Sequence, residues 1–366
     1  MKNTHIFHFE DLLYRLGCTR TIEIIDKIKS NTEYSIKVDG KPSILFGNNN
    51  NTFFISTKSG FNKNPIIYTS ETEINSIVDK NLAYKLSCLF KVLKKDYNKI
   101  YQADVLWYDK NTFNNALVSP NSTAYDLSSM VAHPTHTSAL KRIVGVSVHT
   151  AYDSLDNFNI LSHDDFINDN VCNFTNKVTH NLNINDLVSH LLNNLSYDYV
   201  KTNASTLDDM LINLNSSYCN IDKMMNSFVR NKINICDMTE YSLQGLCYTY
   251  FNKTLKAHYE TLQSSSYKLK FNSLINEKLN IINSTLFLHF CKFYILLAKI
   301  RSTIYATFYV NLSNISNNTL HIAHVNVKDL NGNDSYHEGF VISVDDLLIK
   351  FIDRVHFSYN NFILNG

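Results

Sequence analysis

No two of the seven cysteines (Cys18, Cys88, Cys172, Cys219, Cys236, Cys247, Cys291) stand at C-x-x-C spacing, and their number is odd. That argues against a disulfide framework or a thiolate zinc site and suits a reducing compartment. Net charge is nearly absent too, since 34 Lys and Arg against 33 Asp and Glu leave +1. Whole-chain charge therefore identifies no partner, and any nucleic-acid surface must be local. The N-terminus, MKNTHIFHFEDLLYRLG, lacks the apolar core of a signal peptide. The nearest approach to a membrane span is STLFLHFCKFYILLAKI, Ser284 to Ile300, with Lys292 at its centre and His289 beside it. A central lysine is expensive in lipid, so the run reads as a buried bundle helix. The expectation is a monomer in the cytoplasm (the host's, for a viral chain) with no membrane partner. G-x-S-x-G, Walker A, G-x-G-x-x-G and H-E-x-x-H are all missing. The pairs His133/His136 and His321/His324 lack further ligands at metal-site spacing and read as structural or surface histidines.

What is present is apolar material, 44% of the residues against 18% charged, enough to bury a substantial core. At 366 residues the chain can form one large domain or two ordinary ones. Residues 1–30 read as two short helices, the first closed by Gly17. YSIKVDG then alternates, and KPSILFG and NTFFIST flank the asparagine run Asn48–Asn51 as a hairpin. A helix is expected from Ser70, with Ser70 and Glu73 at capping-box spacing, through LAYKLSCLFKVLKK. Strands are expected at 100–107 and 143–150. From about 180 to 308 the spacing is helical, and strands return at LHIAHVNV, EGFVIS and LLIKFI. The parse is an N-terminal helical segment (1–30), a body (31–178), a helical insertion (179–310) and a return to the body (311–366).

Period-two alternation puts Ser35, Lys37 and Asp39 on one face of YSIKVDG, opposite Tyr34, Ile36 and Val38. In IYQADVLW it leaves Gln102 and Asp104 opposite Tyr101, Ala103, Val105 and Trp107. LLIKFI carries Lys350 on a mostly apolar strand, and Glu338 stands just ahead of another. Each has an ordinary reading alone, as a surface lysine, a turn or an edge strand.

Their order resembles the covalent lysine nucleotidyltransferases, the ATP-dependent DNA and RNA ligases and mRNA capping enzymes. KVDG resembles the nucleophile motif, YQADVLW the third motif, EGFVI the fourth and LIKF the fifth. GVSVHTAY occupies the place of the motif whose aromatic stacks on the base, and STKSGFN resembles the S-R-x-G element that follows the nucleophile. DGKPSILFG, TKSGFNKN and IDRVHFSYNNF are also similar to uncharacterised tailed-phage proteins of ligase-like type. The resemblance covers roughly 30–150 and 320–355. It implies an α+β fold: an antiparallel-sheet nucleotidyltransferase core, ATP-grasp-like, with a large all-helical insertion. With only 16 residues after Lys350, no C-terminal OB domain is expected.

The resemblance implies that Lys37 attacks the α-phosphate of ATP, forming lysyl-AMP, and that AMP then passes to the 5′-phosphate end of DNA or RNA. The lysine must first lose a proton from a group of reference pKa ~10.4. Lys41, Lys58 and Lys350 are candidate sources of the field that eases this. Lys350 would contact the α-phosphate; Ser35, Asp39, Gly40, Lys58, Asp104 and His149 would bind nucleotide. Glu338 and Asp104 would hold Mg²⁺ or Mn²⁺, hard cations that take oxygen ligands. Four positions depart from the family pattern: Pro42 replaces an arginine, Ala103 a glycine, Asp104 a glutamate, and Ile352 a second lysine, with Arg354 as a candidate substitute; the spacing from Glu338 to Lys350 is also shorter than the family's. A silent nucleic-acid-binding module, or a transferase to an RNA cap or a protein, therefore stay open as alternatives. Between Lys253 and Arg301 eight basic residues face only Glu260 and Glu277, with Tyr259, Tyr267 and Phe271 interleaved. That segment, with Lys253, Lys256, Lys268 and Lys270 foremost, reads as a nucleic-acid surface or as a solvated helix face with core aromatics.

Overall fold

Alternating apolar residues build the sheets of this mixed α+β chain, and three-and-four spacing builds its helices. The computed structural model describes residues 6–30, 33–38, 40–109, 117–120, 123–131, 140, 142–156, 159–161, 165–179, 184–193, 195–216, 218–312, 321–322, 325–329, 331–335, 337–345 and 347–354. In chain order the strands are β1 (Phe7–His8), β2 (Glu33–Lys37), β3 (Ser43–Asn49), β4 (Thr52–Ser56), β5 (Ile100–Trp107), β6 (Leu117–Val118), β7 (Ala124–Asp126), β8 (Val144–Tyr152), β9 (Ile160–Leu161), β10 (Val171–Asn173), β11 (Lys177–Thr179), β12 (Asn326–Lys328), β13 (Asp334–Ser335), β14 (Gly339–Val344) and β15 (Leu347–Ile352). The chain divides into two compact units. One comprises Met1–His5, Glu33–His180 and Val310–Val341, the other Ile6–Thr32, Asn181–Tyr309 and Ile342–Gly366. Residues 6–30 and 342–354 fall in the second unit, with the helices between Asn181 and Tyr309.

In the first unit the main sheet runs β10-β8-β5-β3-β4, with β9 on β8. Its pairings are antiparallel except β10 with β8. The β3–β4 hairpin turns through Asn50 and Asn51, at φ 50 and 61. Two successive left-handed residues match the twist of the strands, and asparagine tolerates that region best after glycine. One sheet face carries Ile44, Phe46, Phe53, Ile55, Tyr101, Ala103, Val105, Val144, Val146 and Val148, packed on Leu86, Leu89, Phe90 and Leu93. Those four come from the helix Lys80–Leu93, whose N-cap Asp79 accepts hydrogen bonds from the backbone of Asn81 and Leu82. The single helix expected from Ser70 is thus two. Glu71–Asn75, capped by Ser70, stops before Asp79 starts the next. β2 lies between β11 and β14, antiparallel to both. A further antiparallel sheet runs β13-β12-β7-β6.

In the second unit Gly17, at φ 91, separates the helices Leu12–Arg15 and Cys18–Lys29. Cys18–Lys29 packs through Ile22, Ile24, Ile25 and Ile28, all buried, in a unit built mainly of helices between Ile184 and Asn311. Ser284 interrupts the long helical run, its hydroxyl accepting from the Phe287 amide, so that Ser265–Ile282 and Thr285–Asn311 are separate helices. Among the described residues no single helix is long and apolar enough to cross a membrane.

A buried charge cluster ties this unit together. Arg354 binds Asp11 at 2.7 Å and Glu10 at 3.3 Å, and Arg301 binds Glu10 at 3.2 Å. The Tyr294 hydroxyl donates to Asp11 at 3.1 Å. Arg354 is therefore committed to two carboxylates within its own unit, which corrects its reading as the second phosphate-binding cation. Arg301 and Lys278, two of the eight cations on the proposed basic segment, are buried as well.

Candidate functional site

β2 ends at Lys37, and antiparallel pairing sets Lys37 opposite Gly339 at the start of β14. Glu338, one residue earlier, meets it: the Lys37 ammonium donates to Glu338 Oε2. Burial on β2 follows the expected alternation, with Tyr34, Ile36 and Val38 inside and Ser35 and Lys37 half-buried. The pair is sheltered, the Glu338 side chain being 6% exposed and that of Lys37 22%. A pair this enclosed is not a screened surface bridge, because losing either partner leaves a charge in a poorly solvated place.

The turn after Lys37 docks on β5. The Lys41 amide donates to Val105 O at 3.0 Å, and the Val105 amide donates to Pro42 O at 3.1 Å. A Cβ on Gly40 would lie 2.7 Å from Asp104 Cβ and 2.8 Å from the backbone of Asp104 and Val105. Only glycine fits this approach. Pro42 thus anchors the turn through its carbonyl. Asp39 lies outside the described residues.

Asp104 pairs with Ser43 on one side and Ser147 on the other, on the sheet face away from the helix Lys80–Leu93. Its neighbour is His149, with Nε2 3.6 Å from Asp104 Oδ2. His149 reaches this position through a β-bulge: Gln102 pairs with Thr150 and Ala103 with Val148, leaving His149 as the extra residue. A bulge re-aims side chains, and here it lets His149 Nδ1 sit 3.0 Å from the Thr150 hydroxyl of the next residue. Burial, then the charges of Lys37 and Lys58, lower the His149 pKa to about 4. At neutral pH the ring is uncharged, so its contact with Asp104 is not an ion pair. Lys58 is exposed on the short 3₁₀ turn Lys58–Phe61, which Thr57 caps.

The structure brings together Lys37 and Glu338, and Asp104 and His149, with Gly40 against Asp104 and with Lys37 and Lys58 felt at His149. Ser35 shares the Lys37 face of β2 and pairs with Val341 and Lys177. Lys350 stands on β15, paired with His8 of β1. In the second unit, Lys253, Lys256 and Lys270 are exposed, and Lys268 lies 5.3 Å from the Tyr259 ring centre. Phe271 is buried against Tyr218 and His258, so of the three interleaved aromatics Tyr267 is the exposed one, at 53%.

Among the described residues no three His, Cys, Asp or Glu side chains gather as a metal-ligand group. Glu338 and Asp104 suit the sparser mode in which Mg²⁺ takes one or two carboxylates and completes its shell with water and substrate phosphate. Thr150 and the Gln102–Tyr152 pair, in which the Tyr152 hydroxyl donates at 2.8 Å, border the site unannounced by any motif. Their signal is the break in alternation after Val148, where the next buried core residue is Ala151.

No curated protein and no solved structure matches the chain. Over residues 3–365 it matches DUF6267, a family of unknown function, and the chain belongs to that family.

Proposed function

We propose that the first unit is a nucleotidyl-transfer site in which Lys37 is the nucleophile, as in the ATP-dependent ligases that its motifs resemble. The observation that carries this reading is the sheltered Lys37–Glu338 pair, made by residues 301 positions apart, beside the Asp104–His149 contact. Lys37 Nζ attacks the α-phosphorus of ATP; the N–P bond forms, the bond to the bridging oxygen breaks, and pyrophosphate leaves with the electron pair. Glu338 touches the lysine ammonium and accepts the proton that the amine must shed. Uncharged His149 and Asp104 line the nucleotide side, and Lys58 adds positive charge for the phosphates. Mg²⁺ or Mn²⁺, held by Glu338 and Asp104, would supply neutralising charge at the triphosphate. The AMP then passes to a 5′-phosphate end of nucleic acid, the N–P bond breaking as the new P–O bond forms.

The commitment of Lys37 to Glu338 favours a second reading, a nucleotide- or nucleic-acid-binding module in which the lysine is structural. One labelling experiment separates them. Protein incubated with α-labelled ATP or GTP and Mg²⁺ is denatured and examined for acid-labile label. Transfer predicts label that Lys37→Ala abolishes; no label with either nucleotide, or label that survives the substitution, removes the covalent mechanism. Given label, nicked DNA and RNA substrates distinguish strand sealing from transfer to an RNA cap or a protein.

A further inference from the structure

Three polar side chains on β5 and β8 border His149 and have no part in the transfer step assigned to Lys37. The Tyr152 hydroxyl donates to Gln102 Oε1 at 2.8 Å. Tyr152 also shares a hydrogen bond with the Thr150 side chain. The Thr150 hydroxyl in turn lies 3.0 Å from His149 Nδ1. The four groups form one unbroken chain, Gln102, Tyr152, Thr150 and His149. Strand pairing builds it: Gln102 stands opposite Thr150, and the bulge brings the His149 ring to its neighbour. Phe61 packs edge-on against Tyr152, with ring centres 5.6 Å apart.

Each hydroxyl has one hydrogen to give, and this fixes the direction of the chain. Gln102 Oε1 accepts, so the Tyr152 hydrogen is spent on it. Thr150 must then donate to Tyr152, which leaves the Thr150 oxygen to accept from His149. Nδ1 therefore carries the ring hydrogen, and in the neutral imidazole Nε2 is a bare lone pair. That lone pair faces Asp104 Oδ2 at 3.6 Å. A protonated Nε2 would close on the carboxylate to about 2.7–2.9 Å, the length of a charge-assisted bond, whereas two acceptors stand apart. The His149 side chain is 21% exposed and that of Asp104 16%, so a ligand can reach both. The charges of Lys37 and Lys58 act on the ring and disfavour a metal cation at Nε2. Two adjacent acceptors are instead satisfied by a donor, a hydroxyl or an amino group.

We propose that Gln102, Tyr152 and Thr150 are positioning residues that hold His149 as the Nδ1–H tautomer, so that Nε2 and Asp104 together accept a polar hydrogen from a bound nucleotide. The ligand rests on the nucleotide reading of the first unit; the tautomer does not. The ribose hydroxyls and the amino group of the base both present this chemistry.

Ring ¹⁵N resonances of His149 in the free protein read the tautomer directly, near pH 8, where an ordinary histidine of pKa ~6.5 is neutral. Nδ1 is expected protonated and Nε2 bare; the reverse, or an even mixture, overturns the proposal. Thr150→Val and Tyr152→Phe should each shift the ring towards Nε2–H, whereas Thr150→Ser keeps the wild-type pattern. Gln102→Glu, an acceptor at both oxygens, should keep it as well. A tautomer that changes in Gln102→Glu shows the chain running the other way and refutes the assignment. Calorimetric titration with ATP, its 2′-deoxy and 3′-deoxy forms and inosine triphosphate then identifies the donor. At least one analogue should bind about ten-fold or more weakly than ATP, the scale of a bond to a charged acceptor. Thr150→Val should erase most of that difference. A deficit in a deoxy form assigns a ribose hydroxyl, and one in inosine triphosphate assigns the base amino group. Equal binding of all four, or a deficit as large in Thr150→Val as in the wild type, overturns the acceptor pair. Protein that takes no label from α-labelled ATP yet meets these expectations loses only the transfer step. Protein that labels but shows an Nε2–H ring keeps transfer and loses the pair.

Discussion

Gly40 shows how one missing side chain can position a site. Its place is fixed by close approach to the Asp104 and Val105 backbone at 2.7–2.8 Å, which a methyl group cannot share. Gly40→Ala should push the turn off β5 and cost about 1–3 kcal/mol, the usual range for overpacking a rigid place. Chemical denaturation should show the loss, and Lys37 labelling, if present, should fall with it. The histidines give a second prediction. Burial lowers both His149 and His337 to about 4, Lys37 and Lys58 adding to the effect at His149 and His321 at His337. Their folded pKa values lie below the unfolded value of ~6.5, so between these limits the unfolded chain binds more protons. Their stabilising contribution is complete above pH ~6.5, declines as pH falls towards 4, and levels off below. Melting temperature followed from pH 7 to 4 should drop through that window, and His149→Gln or His337→Gln should each flatten the decline. A profile as steep in both variants as in the parent would show that other groups carry it.

At the level of elements, much of the fold is legible because local rules act alone. β5 and β15 occupy the segments that alternation marks, IYQADVLW and LLIKFI. The Asn50–Asn51 turn follows from asparagine's tolerance of positive φ. Asn51→Gly should be neutral or slightly stabilising, whereas Asn51→Val should cost about 1–2 kcal/mol, the strain of a left-handed branched residue. Urea denaturation of the two variants checks the sign of each. What escaped the sequence are the features set by tertiary competition. The helix expected from Ser70 is cut at Asp79, because a free carboxylate that caps two amides outweighs the continuing apolar spacing. The bulge at His149 is a phase slip of one residue, invisible to strict alternation until Ala151 is seen on the core side. The family resemblance offers Arg354 as a candidate phosphate ligand, yet its partners Glu10 and Asp11 lie near the other end of the chain. Lys37 and Glu338 are each conspicuous in the sequence, while their meeting is a property of β2 and β14 pairing, which no local pattern encodes.

Across the whole molecule, the two units alternate along the chain, with boundaries at 5/6, 32/33, 180/181, 309/310 and 341/342. An insertion in the ordinary sense could be cut out and its ends joined, leaving the remainder folded. Here the helices between Asn181 and Tyr309 have partners in the N-terminal segment, since Cys18–Lys29 packs against Ile184–Leu192, Leu195–Thr202 and Ala204–Leu214. Ile22, Ile24, Ile25 and Ile28 are at most 8% exposed. At about 1.5–3 kcal/mol for each buried side chain, uncovering four costs roughly 6–12 kcal/mol, comparable with the whole stability of an ordinary domain. The same excision removes Arg301 and Tyr294 and leaves Glu10 and Asp11 with Arg354 alone in a buried cluster. Removing residues 181–309 and joining the ends through a short Gly/Ser linker should therefore yield a protein that aggregates or binds an apolar dye strongly and melts without cooperativity. Soluble expression with a sharp melt and no dye binding would show that the N-terminal helices hold without the helical unit, and that residues 181–309 are a true insertion after all.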